Sequence, residues 1–248
     1  MLAGMAAMPF AAAAARAQAV GKITRLDSEL DAILDVNAPI EVIATGIRWA
    51  EGPAWVKDGG YLLFSDPPAN VAYKWQQGRG KSLFLSPSGL AGPIPTGVRE
   101  AGSNGMTIDA RGRLIMADSG TRAIAAVDLK TRKKTILADR YDGKRFNSCN
   151  DVAIGVNGTI YFTDPPYGFT DGDASPLKEL PWNGVYRIDP QGEVQLIAKD
   201  LSRPNGVGVS PDLQTLYVSM SDEARPISSP IRSISRAAPA TSRASSST

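Results

Sequence analysis

An internal repeat restricts the folds that this sequence can adopt. Four segments with the same pattern begin at Glu51, Asn104, Asn150 and Asn205, 46–55 residues apart. Each of the first three has a glycine eight positions after its start and an aspartate six or seven positions further on. A period of about 40–50 residues is typical of β-propeller blades. The repeat therefore predicts an all-β propeller in which each segment belongs to one blade.

Each repeat also shows strand patterns inside it. Two short alternating runs are joined by a turn at Gly, Asn-Gly or Pro-Asp, which is the pattern of a β-hairpin. Two more strands are predicted in each of the first three repeats, at residues 70–75 and 81–85, 123–128 and 134–138, and 184–189 and 193–198. Since four strands make one blade, we predict about four blades. The fourth repeat stops half way, after Asp222, so we expect the last blades to be missing.

The chain divides into four segments by composition. Residues 1–19 are almost wholly small or apolar and end in Ala17-Gln18-Ala19, which predicts a signal peptide and a periplasmic or secreted protein. Without a signal peptide the protein would be cytoplasmic. Residues 20–40 form a lead-in with a short helix at 24–36, and residues 41–222 form the incomplete propeller. Residues 223–248 are rich in Ser, Ala and Arg and are predicted to be disordered, as a shifted reading frame or truncated gene would make them.

Composition excludes several classes of function. There is no histidine, which excludes Ser–His and Cys–His catalytic pairs and nearly every nitrogen or sulfur zinc site. The single cysteine, Cys149, excludes an internal disulfide. A net charge of +2 gives no support for nucleic-acid binding, and no apolar run is long enough to span a membrane. Any bound metal must therefore be held by oxygen atoms.

The four repeat starts are the candidate site. Glu51, Asn104, Asn150 and Asn205 hold equivalent blade positions, so we expect them to converge around the axis of the propeller. One carboxylate and several amide carbonyls suit Ca²⁺, with another divalent cation as the alternative. Taken singly, each of these residues is better explained as part of a turn. The aspartates that end the second strands are predicted to tie blades together instead, and these are Asp66, Asp118 and Asp164.

Several sequence blocks resemble the senescence-marker-protein/gluconolactonase family of six-bladed propellers, over residues 42–222. The two most specific blocks are similar to the bacterial gluconolactonase branch: R-F-N-S-x-N-D at residues 145–151 and F-T-D-P-P-Y-G at 162–168. Further matching blocks are E-G-P-A-W at 51–55, F-S-D at 64–66, G-S-N-G at 102–105 and R-P-N-G at 203–206.

The resemblance implies a metal-dependent hydrolase that opens a sugar lactone to an aldonic acid. It implies calcium ligands at Glu51, Asn150 and Asn205, and substrate contacts at Asn104 and Asp151. The family's fourth ligand, an Asp in a P-D-G motif that also serves as general base, is absent here. Asp151 is then the remaining candidate for a catalytic carboxylate. With one ligand charge missing, we expect weak cation binding and impaired activity.

Three alternatives stay open at this point. The first is a non-catalytic propeller that binds a protein or peptide, in which Glu51, Asn150 and Asn205 would be dispensable. The second is an esterase of the same fold that acts on aryl esters or organophosphates. The third is an inactive fragment. The sequence does not specify which lactone is used or the oligomeric state.

Overall fold

The computed structural model of the chain describes residues 20–222 and the backbone of a strand at 228–232. Within these residues the regular structure consists of β-strands and short 3-10 helices, and no α-helix occurs there, so the all-β prediction is confirmed. No helical segment of the described residues has the length and apolar character needed to cross a membrane. The predicted signal peptide at 1–19 lies outside the described residues.

The described strands form four main antiparallel sheets and one small ribbon. The first sheet consists of β1 Glu51–Val56, β2 Tyr61–Asp66, β3 Val71–Gln76 and β4 Gly80–Leu85. The second consists of β5 Met106–Ile108, β6 Leu114–Asp118, β7 Ala123–Val127 and β8 Lys134–Ala138. The ribbon, absent from the prediction, pairs β9 Arg140–Tyr141 with β10 Lys144–Arg145. The third consists of β11 Val152–Ile154, β12 Ile160–Asp164, β13 Gly184–Ile188 and β14 Val194–Ala198, and the fourth of β15 Pro204–Val209, β16 Thr215–Met220 and β17 Ser228–Arg232.

Two compact units divide the chain, Met1–Gly46 and Ile47–Thr248. In the first unit the helix predicted at 24–36 is a single 3-10 turn, Ser28–Ala32, capped by the Asp27 side chain, which accepts a hydrogen bond from Glu29 N at 2.8 Å. None of its residues is buried. A short helix without a buried apolar face gains little from tertiary packing, which explains why it extends no further.

Three apolar clusters join the sheets of the second unit in chain order. The middle strand β6 shows how, because successive side chains of a strand point to opposite faces. Leu114 and Met116 pack with residues of the first sheet, whereas Ile115 and Ala117 pack with residues of the third. A smaller cluster, which includes Tyr161 and Leu216, joins the third sheet to the fourth. The sheets thus stack face to face as propeller blades do.

The tail contains the one clear departure from the predicted strands. Ser228–Arg232 pairs with Thr215–Ser219 as the outermost strand of the fourth sheet. The prediction of disorder over 223–248 is therefore wrong for these five residues. Pairing at a sheet edge uses backbone groups and needs no alternating pattern, and proline is tolerated on an edge strand, as at Pro230. The rest of the tail lies outside the described residues.

Two long loops meet at the edge of the sheets where the repeats begin. The loop between β4 and β5 lies against the loop between β12 and β13. Arg99 N donates to Gly168 O at 2.7 Å, Thr170 N donates to Gly97 O at 2.9 Å, and Val98 and Phe169 form an antiparallel bridge. These bonds fix the segment that leads into Asn104.

Candidate functional site

The starts of the four first strands, β1, β5, β11 and β15, lie next to one another in chain order. A side chain at Gly52 would place its Cβ 2.2 Å from Asn104 O. Gly105 N donates to Asn150 O at 2.7 Å, and Val207 N donates to the Asp151 carboxylate at 2.8 Å. The predicted convergence of the repeat starts thus has direct backbone contacts between neighbours.

Glycine at two of these positions serves close approach between sheets. A Cβ at Gly105 would come within 2.3 Å of an Asp151 carboxylate oxygen, and Gly52 adds a positive φ of 52° to its contact with Asn104. Any side chain at either position would push two neighbouring sheets apart. The Glu-Gly and Asn-Gly pairs of the sequence are therefore contact points between sheets, not the hairpin turns that such dipeptides often form.

The backbone carbonyls of all three asparagines accept a hydrogen bond from the preceding sheet. Ser65 Oγ donates to Asn104 O at 2.8 Å, and Thr163 Oγ1 donates to Asn205 O at 2.5 Å. For Asn150 the donor is the backbone N of Gly105. Each asparagine is thus fixed through its main chain, which leaves its side chain for other contacts.

Those side chains differ in their partners. Asn104 and Asn150 are 5% and 6% exposed. The Asn150 amide has no hydrogen-bond partner within the described residues, although a buried polar group normally has one. Asn205 is less buried, and its Nδ2 donates to Ser221 Oγ at 2.8 Å. Glu51 accepts a hydrogen bond from Trp49 Nε1 at 2.9 Å.

Two further carboxylates lie near Glu51. Burial raises the pKa of Glu100, against the stabilising effect of Arg99, and Glu51 raises it further by repulsion. The Asn104 amide stabilises the same carboxylate electrostatically. Burial also raises the pKa of Asp151, hydrogen bonds from backbone N–H groups oppose this rise, and Glu51 again adds repulsion. Negative charge is therefore concentrated where the first strands begin.

The contacts of Asp151 are those of a residue that links sheets. One carboxylate oxygen accepts from Val207 N, and the other accepts from Val152 N, both at 2.8 Å. Asp151 N donates to Thr163 Oγ1 at 3.1 Å. Its predicted roles in substrate binding and catalysis stay predictions, since both oxygens already have backbone donors.

The second-strand aspartates accept hydrogen bonds from nearby segments, as predicted for a structural role. Asp66 accepts from Arg48 N at 2.8 Å and from Trp49 N at 3.2 Å. Asp118 accepts from Thr121 N at 2.9 Å and pairs with Lys134 at 2.7 Å. Asp164 accepts from Asn147 N at 2.7 Å, and burial raises its pKa to about 7.

The two most specific sequence blocks bind each other. Asn147 Nδ2 donates to Asp164 O at 2.9 Å, and Ser148 Oγ donates to Pro165 O at 2.6 Å. Gly168 N in turn donates to Ser148 Oγ at 2.8 Å. These bonds hold the segment before Asn150 in place, so the blocks position a predicted ligand.

The donor set at this edge fits a divalent cation bound through oxygen. It combines a buried amide without a protein partner with carboxylates that repel one another, and a cation would satisfy both conditions. Within the described residues, no three His, Cys, Asp or Glu side chains are grouped closely enough to bind one metal ion. A site here would therefore depend on amide oxygens as well as carboxylates.

A cleft of about 600 Å³ lies at the opposite ends of the strands. Its walls are the hairpin turns of the second and third sheets, including Asp109, Arg111 and Pro190. None of the five predicted site residues lines it. The cleft is therefore separate from the candidate site.

Sequence reasoning missed two residues at the site. Trp49 precedes the first repeat, and Glu100 lies four positions before Asn104, where the other repeats have no carboxylate. A repeat pattern finds only residues that recur, so neither could be found in that way. The hydroxyls of Ser65 and Thr163 do recur, each one position before a second-strand aspartate, and this pattern was available in the sequence.

Comparison with known proteins identifies related chains. The family model described as "SMP-30/Gluconolactonase/LRE-like region" matches residues 49–238. The gluconolactonase of Zymomonas mobilis subsp. mobilis is 57% identical over 208 residues, which are 84% of this chain and 58% of that protein. The Arabidopsis thaliana protein strictosidine synthase-like 7 is 31% identical over 111 residues, which are 44% of this chain and 30% of that protein.

A solved structure agrees with the fold. The gluconolactonase from Xanthomonas campestris superposes with a TM-score of 0.70 at 32% identity, over 85% of this chain and 66% of that one. The predicted β-propeller fold is thereby confirmed, while the number of blades stays a prediction. The present chain spans about three fifths of the Zymomonas relative.

Proposed function

The chain belongs to the SMP-30/gluconolactonase/LRE-like family, and from this premise we propose that it hydrolyses the ester bond of a sugar lactone. The reaction consumes one water, breaks the bond between the carbonyl carbon and the ring oxygen, and gives an aldonic acid with a free hydroxyl. Because the chain covers only 58% of the Zymomonas gluconolactonase, the activity of the whole protein is part of this proposal.

One observation carries the proposal. Glu51, Asn104, Asn150 and Asn205 begin adjacent strands of successive sheets, and each lies in a sequence block shared with the family. Turn formation alone does not require a carboxylate or amide at the same position of four sheets. An oxygen-lined site for a cation and a polyhydroxy substrate does require this.

Glu51, Asn150 and Asn205 would hold a divalent cation, and calcium suits a set of carboxylate and amide oxygens better than magnesium. When bound, such a cation polarises an ester carbonyl and stabilises negative charge on its oxygen. The partnerless amide of Asn150 supports its assignment as a ligand. Asn205 would have to give up neither of its carbonyl contacts, because its bond to Ser221 uses Nδ2.

The remaining residues bind and position. The Asn104 amide can bind a substrate hydroxyl, since its main chain is already held by Ser65. Asp151 holds the third and fourth sheets in register through Val207. This contact keeps Asn150 and Asn205 at a fixed spacing, so we assign Asp151 a positioning role ahead of its predicted catalytic one.

The test is hydrolysis of D-glucono-1,5-lactone by the full chain in a pH-stat, against the spontaneous rate. We expect slow turnover that is lost on chelation and reduced at least ~10-fold in Glu51→Gln, because that change removes a ligand charge. Glu193→Gln, an exposed residue in a turn at the other strand ends, serves as control. A rate equal to the spontaneous one, or one unchanged in Glu51→Gln, would contradict the proposal and favour a non-catalytic binding protein.

A further inference from the structure

We propose that Glu100 is a second carboxylate ligand of the cation site, which supplies the negative charge that the missing P-D-G aspartate would otherwise provide. The proposal rests on the proposed function, because it adds a ligand to the same site. No repeat pattern assigns a role to this residue.

Glu100 is held beside the site by its backbone. It lies in the loop between β4 and β5, four residues before Asn104. Its N and the N of Arg99 both donate to Gly168 O, at 3.3 and 2.7 Å. The carboxylate is therefore carried by a segment that is tied to the third sheet as well as to the second.

One of its two carboxylate oxygens has no partner. Oε1 accepts from Arg99 at 2.9 Å, whereas Oε2 is buried and receives no hydrogen bond. The side chain as a whole is 14% exposed. Leaving a buried carboxylate oxygen unpaired is costly, so this position calls for a cation or a donor that the protein does not itself provide.

The surroundings of Glu100 favour a cation as that partner. Glu51 lies close enough to repel it, and Asn104 contributes electrostatic stabilisation without completing a hydrogen bond to Oε2. The adjacent guanidinium of Arg99 is 55% exposed and engages Oε1 alone. Two carboxylates brought together in a partly buried region are stabilised by a positive charge between them.

A second carboxylate also changes the charge of the site. Glu51, Asn150 and Asn205 alone give one negative charge against a divalent cation. With Glu100 the site carries two, and the number of ligand charges is one of the main controls of calcium affinity. The absence of the P-D-G aspartate then weakens binding less than the sequence suggested.

The experiment is isothermal titration of the full chain with Ca²⁺. We expect Glu100→Gln to weaken binding at least ~10-fold, because the amide keeps the shape and the contact with Arg99 but loses the charge. Glu193→Gln should bind as the wild type does. Arg99→Gln should bind more tightly, because the carboxylate loses its competing partner, and this exposed position tests the proposal even if Glu100→Gln fails to fold.

The outcomes separate this proposal from the one on which it rests. If the wild type binds Ca²⁺ and Glu51→Gln does not, but neither Glu100→Gln nor Arg99→Gln alters affinity, Glu100 is not a ligand and the cation site stands. If Glu100→Gln raises KM for the lactone with Ca²⁺ affinity unchanged, Oε2 binds a substrate hydroxyl and the proposal is wrong. If the wild type binds no Ca²⁺, both proposals fail.

Discussion

Asp66, Asp118 and Asp164 end equivalent strands, yet their surroundings differ. Asp66 accepts two backbone N–H groups, and Asp118 has a lysine beside it. Asp164 is fully buried, and one of its carboxylate oxygens has no partner. The same residue type at the same repeat position is thus stabilised in its charged form at one site and strained at another.

Asp164 gives stability a distinct dependence on pH. Burial raises the pKa of Asp164 to about 7, above its value of 3.8 in an unfolded chain. A carboxyl whose pKa is raised by folding contributes stability below the unfolded pKa, and this contribution is lost as the pH rises towards the folded pKa. We expect wild type to lose about 2 kcal/mol relative to Asp164→Asn between pH 5 and 8, measured by urea unfolding.

The asparagine variant keeps an oxygen that can accept the hydrogen bond from Asn147 N, so its packing serves as the reference. A parallel comparison with Asp109→Asn, on the surface-accessible turn of the second sheet, separates the effect from general charge changes. If wild type and Asp164→Asn show the same pH dependence, Asp164 is ionised in the folded protein at pH 5.

At this scale the sequence predicted kinds of residue better than their environments. The register placed Glu51, Asn150 and Asn205 at equivalent positions and assigned the second-strand aspartates to structure. It could not reveal Glu100, because its proximity to Glu51 depends on how two loops pair. The hydrogen bond from Trp49 to Glu51 is likewise a matter of local folding.

The hydroxyl contacts between sheets belong to the scale of elements. Thr163, in β12, is fully buried and serves two neighbours at once. Its Oγ1 donates to Asn205 O in the fourth sheet and accepts from Asp151 N in its own. One side chain thereby sets the position of two first strands.

Removing this hydroxyl should loosen the contact between the third and fourth sheets. Thr163→Val keeps the shape but leaves the Asn205 carbonyl and the Asp151 N–H without this partner, and each buried unpaired group costs about 1–3 kcal/mol. We expect a loss of about 2 kcal/mol in the free energy of unfolding, from chemical denaturation, together with weaker Ca²⁺ binding. Thr107→Val, whose hydroxyl makes no hydrogen bond within the described residues, should change stability by less than about 1 kcal/mol. Equal losses in the two variants would show that the contact adds nothing specific.

Strand positions were predictable to within a residue or two where a turn signal bounded an alternating run, as in β7, β8, β13 and β14. The ribbon of β9 and β10 was missed because two-residue strands carry no period. The helix at 24–36 was overpredicted, since its pattern finds no apolar surface to bury. The strand at 228–232 pairs through its backbone at an edge, where composition gives no signal.

At the scale of the whole molecule, the proposed ligands come from different sheets. Glu51 belongs to the first, Asn150 precedes the third, and Asn205 belongs to the fourth. A cation held by all of them would link sheets that otherwise meet only through their neighbours. Ligand binding to the folded state stabilises the whole unit by mass action.

Calcium should therefore raise the unfolding temperature of the chain. At 100 times Kd the gain is about 2.7 kcal/mol, which corresponds to an increase of about 5–10 °C in Tm for a unit of this size. Differential scanning calorimetry with and without Ca²⁺ measures it. The shift should disappear in Asn150→Ala and Glu51→Gln and persist in Glu193→Gln. A full shift in Asn150→Ala would remove that residue from the ligand set.

The strand β6 has a further consequence for how such a chain can change over time. Both of its faces are enclosed, one by the first sheet and one by the third. A single inserted or deleted residue inside it would exchange the two sets of neighbours and upset both interfaces together. Evolutionary drift should therefore collect in the hairpin turns, including those around the distal cleft, while the centre of each blade admits only substitutions that preserve volume.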